Sequence, residues 1–329
     1  MSTGDESRRV SPAVGVTLLN LGAPESEPAI PGYIRGLLSD RRVMPLPWPA
    51  RPLVARLIAR RRAGSVARHY RAIGGRSPLF VRTREQVEAL QVALGSGFAV
   101  RYAFRHSAPR AAPVMEAMAA AGVRRVVAVP TYPQWTRSTS GSALADLDRA
   151  AHRVGVEVRC VSSFPDAPGY VDALAALTLP FLSKSTHVLL TAHGLPMRTI
   201  RQGDPYLDEV TRTVRALAGR LPVGTCHTLA FQSRVTSMAW TGPALKSELA
   251  RLAREGVRSV VVAPISFACE NLETVYELDI ELAAFARACG ITAFRRVPAP
   301  GCHPAFIAEI ARLVRSAAAQ AGWEASDGS

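Results

Sequence analysis

The sequence predicts an α/β protein of two similar domains, each a parallel sheet flanked by helices, with a cleft between them. Three observations carry that expectation. Short β-branched runs alternate with Ala-, Leu- and Arg-rich segments of helical spacing, the pattern of parallel strands joined by crossover helices. One internal repeat is legible, because GVRRVVAVP starting at Gly122 is echoed by GVRSVVVAP starting at Gly256. Both copies read as a glycine closing a helix, a buried strand, and a proline at the strand's C-terminal edge. The length of 329 residues suits about two domains at roughly 150 residues each.

Residues 1–12 read as a flexible N-terminus that lacks the basic start and apolar stretch of a signal peptide. The N-terminal domain follows over 13–165, with strands at 14–19, 99–104, 125–129 and 156–160 and a helix over 84–94. Relative to the second domain it carries a surplus stretch at about 29–64. This insertion is apolar where MPLPWPA begins at Met44 and cationic at Arg60, Arg61 and Arg62. Such a lip suits a flat, hydrophobic, anionic ligand or a membrane surface, and a solvated basic helix packed by its Leu/Ile face is the plainer alternative. The C-terminal domain spans 166–300, with strands at 188–191, 225–231 and 260–263 and a helix over 244–254. Residues 301–322 read as a C-terminal helix packing back on the N-terminal domain, and 323–329 as a flexible tail.

Composition narrows the function classes. With 48% hydrophobic and 20% charged residues, disordered, collagen-like and coiled-coil classes are excluded. The net charge of +14 invites a nucleic-acid reading, yet the basic stretch RPLVARLIARRR, which ends at Arg62, lacks interleaved aromatics and matches no known binding module. No apolar run approaches the ~18 residues of a spanning helix, so a cytoplasmic protein is expected. Cys160, Cys226, Cys269, Cys289 and Cys302 are scattered without a C-x-x-C pair, as isolated thiols of a reducing compartment are.

In doubly wound sheets ligands sit at the carboxyl ends of the strands. That rule picks out Asn20 onward, Arg105 with His106, Tyr132 to Trp135, His193, Gln232 with Ser233, and Ser266 onward. None is a phosphate-cradling glycine loop. His193 ends an apolar strand and precedes Gly194, where an imidazole can face a cleft and take a proton or meet a metal. A hydrogen-bonded structural histidine is the competing reading. Glu270, Glu273, Glu277 and Glu281 are spaced so that, on an α-helix, they form one acidic stripe. The stripe is either a ladder paired with neighbouring arginines or a conduit of hard oxygen ligands for a cation.

Here the motifs reach a resemblance. LLNLGAP from Leu18, YRAIGG from Tyr70, YPQWTRSTSGS from Tyr132, TAHGLP from Thr191, GDPY from Gly203, FQSR from Phe231 and LETVYELD from Leu272 resemble the signature segments of ferrochelatases. The match runs in order from about residue 14 to 316. It implies two Rossmann-like, chelatase-type domains and insertion of ferrous iron into protoporphyrin IX or coproporphyrin III, a terminal step of haem biosynthesis. His193 and Glu273 would be catalytic, the histidine in the cleft and the glutamate on the opposite wall. The same two residues, with Glu277 and Glu270, would form the metal path. Leu21, Arg61, Arg62, Arg105, Tyr132, Trp135 and Ser233 would touch the porphyrin.

Departures from the family pattern fall at Asn271, where many members carry histidine, at Cys269 two residues before it, and at His106, where tyrosine is more frequent. Arg137 stands where animal-type members carry a cluster cysteine, and the tail after Cys302 has none, so no [2Fe–2S] cluster and no prosthetic group are implied. Porphyrin and ferrous iron are then the partners of a monomer, with peripheral membrane contact through the lip. A porphyrin or haem carrier without turnover and a cobalt or nickel chelatase for a related tetrapyrrole share this architecture.

Overall fold

A computed structural model describes residues 14–233 and 239–323. The expected flexible N-terminus, the last six residues of the expected tail, and Arg234 of the FQSR motif lie outside the described residues. The N-terminal half contains β1 (Val14–Asn20), α1 (Ile30–Ser39), α2 (Ala50–Ala72), α3 (Leu79–Leu94), β2 (Phe98–Phe104), α4 (Ala111–Ala120), β3 (Arg125–Pro130), α5 (Ser140–Arg153) and β4 (Glu157–Cys160). The C-terminal half contains α6 (Pro168–Thr178), β5 (Thr186–His193), α7 (Met197–Arg201), α8 (Tyr206–Ala218), β6 (His227–Gln232), α9 (Leu245–Arg254) and β7 (Ser259–Pro264). A π-helix over Glu273–Leu282 then runs into α10 (Ala283–Ala288), followed by β8 (Ala293–Arg296) and α11 (Pro304–Gln320).

The two sheets are parallel and share one strand order, β2-β1-β3-β4 and β6-β5-β7-β8. In each, the first strand is central and the chain moves to one side and then the other. The crevice that ligands favour in such sheets therefore opens at the carboxyl ends of β1 and β3, and again at β5 and β7. Every residue of β1 is buried, as a strand covered on both faces requires, which is why VGVTLLN is a continuous rather than an alternating run. The repeat at Gly122 and Gly256 lands on the glycines before β3 and β7, and both adopt positive φ (82° and 90°) where the preceding helix closes.

The largest hydrophobic cluster among the described residues spans both halves. It includes Val14, Leu18 and Val129 of the first sheet, Val188, Leu190 and Val261 of the second, and Phe306, Ile310 and Val314 of α11. Helix α11 packs on β3, β4, α3 and α6. Gly169 permits that approach, because a Cβ there would lie 2.5 Å from the Ala305 carbonyl oxygen. Trp323, placed in the tail by the sequence reading, is instead buried, with the Arg159 guanidinium 5.5 Å from its ring centroid.

The insertion folds as α1 and α2, which pack on each other. Their inner face buries Ile30, Ala67 and Tyr70, against which Ile34, Val66 and Leu272 pack. Leu46, Trp48, Leu53 and Leu57 stay exposed on the outside, with Trp48 78% and Leu53 70% accessible. Arg105 ties this lip to the body through Asp40, the residue that closes α1. One strand escaped the sequence reading. Strand β8, AFRR, is four residues long and carries two arginines at the sheet's edge, too short and too charged to stand out as a β-branched run.

Candidate functional site

A cavity of about 430 Å³ opens at the carboxyl ends of both sheets and beneath the lip, a size within the ~300–1,000 Å³ of small-molecule sites. Both sheets and the lip contribute walls, including Leu21, Tyr33, Tyr70, Tyr132, His193 and Glu273.

His193 is the last residue of β5, so the strand aims it at this crevice. Its N–H donates to Ser266 Oγ at 3.0 Å, and its carbonyl accepts the Tyr206 hydroxyl at 2.8 Å. Gly194 lets the chain turn hard against β6, because a Cβ there would meet the Gln232 carbonyl oxygen at 2.8 Å. Burial pushes the imidazolium down to a pKa of about 4. At neutral pH the ring is uncharged, with a lone pair free to take a proton or a metal ion.

Glu273 and Glu277 reach the cavity from the π-helix. Burial raises the pKa of Glu273. Glu277 is pushed up to about 7, first by burial and then by the Glu273 charge, while bonds from Ser233 and Gln232 oppose the rise. The Ser233 hydroxyl donates to Glu277 Oε2 at 2.5 Å and the Gln232 amide donates to the same oxygen at 3.3 Å. Ser233 makes that contact at φ +63°, in the left-handed region that non-glycine residues seldom adopt, a conformation that concentrates at functional sites.

The N-terminal wall is braced rather than ionised. Tyr132 OH donates to Asn20 Oδ1 at 2.9 Å and accepts the Leu21 N–H at 3.0 Å, while the Asn20 amide donates to Thr131 Oγ1 at 3.0 Å. Burial raises the phenol of Tyr132, so it stays neutral.

The structure thus gathers His193, Glu273, Glu277, Leu21, Arg62, Tyr132, Ser233 and Asn271 around one cavity. Other residues expected there go elsewhere. The helical turn after β7 begins only at Leu272, so Glu270 precedes it and drops off the expected stripe. Its carboxylate pairs with Arg296 at 2.5 Å and accepts the Ala299 N–H at 3.0 Å. Glu281 pairs with Lys246 at 2.9 Å. The α-helical winding assumed for the stripe is replaced by a π-helix, and only the middle two glutamates face the cavity.

Arg61 and Trp135 lie outside the lining, and the Trp135 indole packs over Gly141. Arg105 is held by Asp40, Asp146 and Ser142. His106 stands edge-on to Tyr33 at 6.3 Å, and burial pushes its imidazole down to about 4. Cys269 packs with Ala23, Leu79 and Phe104, and burial pushes its thiol up to about 12. Tyr33, Ile34, Leu37 and Leu38 of α1 line the cavity without having been singled out. Their spacing along one helix face is the signal the sequence offers for them.

The ferrochelatase family profile matches residues 13–318. Similar curated proteins include the ferrochelatase of Geotalea daltonii, 37% identical over 93% of this chain and 98% of its own length. That of Synechococcus sp. (strain JA-2-3B'a(2-13)) is 38% identical over 92% of each chain. Among solved structures, SirB from Bacillus subtilis with Fe3+ superposes at a TM-score of 0.59 with 14% identity, covering 95% of this chain and 99% of that one. CbiX, described as the terminal enzyme for biosynthesis of siroheme in denitrifying bacteria, superposes at 0.50 with 16% identity, covering 92% of this chain and 98% of its own. Identities that low show a shared two-domain fold and nothing of substrate, whereas the profile and the curated relatives span nearly the whole chain. By that measure the protein belongs to the ferrochelatase family, the porphyrin metal chelatases.

Proposed function

We propose that this protein inserts Fe²⁺ into protoporphyrin IX or coproporphyrin III, releasing two protons. The observation that carries the reading is the meeting of a neutral His193 with Glu273 and Glu277 in one cavity. Insertion demands that the ion shed water and that two pyrrole N–H groups give up protons; the product, a dianionic ring with a divalent ion, is neutral. His193, with its lone pair free near neutrality, accepts a pyrrole proton. Glu273 and Glu277 offer hard oxygens to the ferrous ion, and their raised pKa values let them carry protons away as the metal leaves them. Leu21 and the tyrosines grip the ring, and Arg62 at the cavity edge is placed to pair a propionate. The protein works without a prosthetic group, in the cytoplasm and as a monomer.

The test is anaerobic Fe²⁺ insertion followed by loss of porphyrin fluorescence, in wild type, His193→Ala and Glu273→Gln. Both variants are expected to lose turnover while still binding porphyrin. Normal rates in both would sink the proposal, and saturable binding without turnover in the wild type would favour a carrier instead.

Among the described residues no helix is long and apolar enough to cross a membrane. A peripheral contact is supported by exposed Leu46, Trp48, Leu53 and Leu57 on a lip that also carries Arg51, Arg56 and Arg60. Sedimentation with phosphatidylglycerol vesicles should carry down the wild type and release Leu53→Glu; equal recovery of both would refute the contact.

A further inference from the structure

The two cavity glutamates depend on how their helix begins, and four hydrogen bonds converge on that point. Asn271 Oδ1 accepts the Thr274 N–H at 3.0 Å, and the Asn271 N–H donates to Thr274 Oγ1 at 3.0 Å. The same hydroxyl donates to the Asn271 carbonyl at 3.1 Å, which also accepts the Val275 N–H at 3.1 Å. This is a reciprocal capping box, with each side chain satisfying the other residue's orphan N–H. Thr274 is fully buried, so water cannot substitute for either bond. Leu272, between them, packs into the lip cluster of Ile30, Ala67 and Tyr70. One turn on, Tyr276 stacks on His69 of α2 with ring centroids 4.1 Å apart. A π-winding is rare and needs such constraints to persist, because ETVYELDIEL is also a serviceable α-helical sequence.

We propose that Asn271 is a positioning residue, whose capping box with Thr274 fixes the first turn of the π-helix and so keeps Glu273 and Glu277 together on the cavity face. The inference rests on the chelatase reading of the site. It also gives the departure at this position a meaning. The only acceptor of the Asn271 side chain is spent on the cap, so the residue is no lapsed proton carrier; its work is done on the backbone.

Four variants test this: Asn271→Ala, Asn271→Ser, Asn271→His and Thr274→Val. Each is measured for kcat and KM toward Fe²⁺ at saturating protoporphyrin IX, for porphyrin Kd by fluorescence, and for Tm. Losing the cap in Asn271→Ala should lower kcat/KM for Fe²⁺ about tenfold, mainly through KM, with porphyrin Kd within about twofold of wild type. Asn271→Ser, whose hydroxyl can accept the same N–H, should restore the value to within about threefold. Thr274→Val should reproduce Asn271→Ala, and it carries the test if that variant fails to fold. Asn271→His should not exceed the wild type. Wild-type kcat/KM in both Asn271→Ala and Thr274→Val would overturn the proposal, as would turnover in Asn271→His above the wild-type rate. An inactive wild type would strike the chelatase reading itself, and it is seen before any variant is compared.

Discussion

Replacing Arg105 with methionine should loosen the lip rather than remove a porphyrin contact. The Arg105 side chain is 16% exposed and lies 3.1 Å from Asp40, itself 6% exposed, and 3.4 Å from Asp146. Its Nε donates to Ser142 Oγ at 3.0 Å, and the Ser142 hydroxyl donates in turn to Asp40. Burial pushes the Asp40 carboxyl up, but the bonds from Ser142 and the Arg42 N–H, with the Arg105 charge, outweigh it and hold the pKa below the ordinary value. Breaking one side of a buried pair costs about 3–5 kcal/mol, because the remaining charge stays desolvated. Asp40 keeps its bonds to Ser142 and to the Arg42 N–H, so the low end, about 3 kcal/mol, applies. In a domain of this size that lowers Tm by roughly 6–12 °C.

The sign with pH follows from the depressed pKa. The native state binds the Asp40 proton less readily than the unfolded chain, so the stabilisation is present above the unfolded value near 3.8 and is lost as pH falls through the lower folded value. The gap between wild type and Arg105→Met should thus be widest near pH 7 and narrow below pH 4. Calorimetry at several pH values, with the cycle through Asp40→Asn, measures both the loss and the coupling. A Tm shift under about 2 °C together with abolished porphyrin binding would refute the reasoning and return Arg105 to the ligand.

Glu277 gives the opposite pH dependence. Its raised pKa means that the folded state holds the proton more tightly than the unfolded chain, so wild-type stability should fall relative to Glu277→Gln between about pH 4.5 and 7, by a difference approaching 2–3 kcal/mol above pH 7. Urea titrations at pH 5 and 8 read it, and parallel pH profiles for the two proteins would contradict it. Gly169→Ala drives a Cβ to 2.5 Å from the Ala305 carbonyl oxygen and should cost about 1–3 kcal/mol by prising α6 from α11; an unchanged Tm would show that the helices can shift. Gln134 donates to Ile265 O and Thr213 Oγ1, both at 2.8 Å, across the two halves. Gln134→Leu should therefore destabilise by about 1–3 kcal/mol, and a neutral effect on urea unfolding would refute that role.

How much of this could be read from residues alone differs by element. The buried strands were legible because parallel strands covered on both faces must be continuous apolar runs, and the repeat exposed their duplication. Strand β8 was not, since an edge strand carrying two arginines gains its pairing from β7 rather than from its own pattern. His193 was legible as the end of an apolar run. Glu270 misled because helical phase was extrapolated past the true start of the helix, which is set by the Asn271 and Thr274 side chains and by Leu272 meeting the lip. The Asp40 partner of Arg105 was not legible for a related reason: a strand-end arginine looks the same in sequence whether it faces a ligand or an aspartate from a distant insertion.

The duplicated scaffold also bears on why the proposed reactive groups lie in one half. Asn20 and His193 occupy the same place, the last residue of the central strand in sheets of identical order. In the first sheet the side chain is spent, because Asn20 is bonded to Thr131, to the Gly22 N–H and to Tyr132, and the result is a rigid wall that holds an aromatic face. In the second the backbone of His193 is fixed by Ser266 and Tyr206, while among the described residues no hydrogen bond engages the imidazole. The same topological position thus serves as a brace in one copy, and in the other it presents the imidazole that the proposed function uses as a base. The lip reinforces the division, since it grows from the braced half yet packs its inner face on Leu272 and stacks His69 on Tyr276. On the proposed function, grip and chemistry fall to different halves, which meet at the helix that bears Glu273 and Glu277.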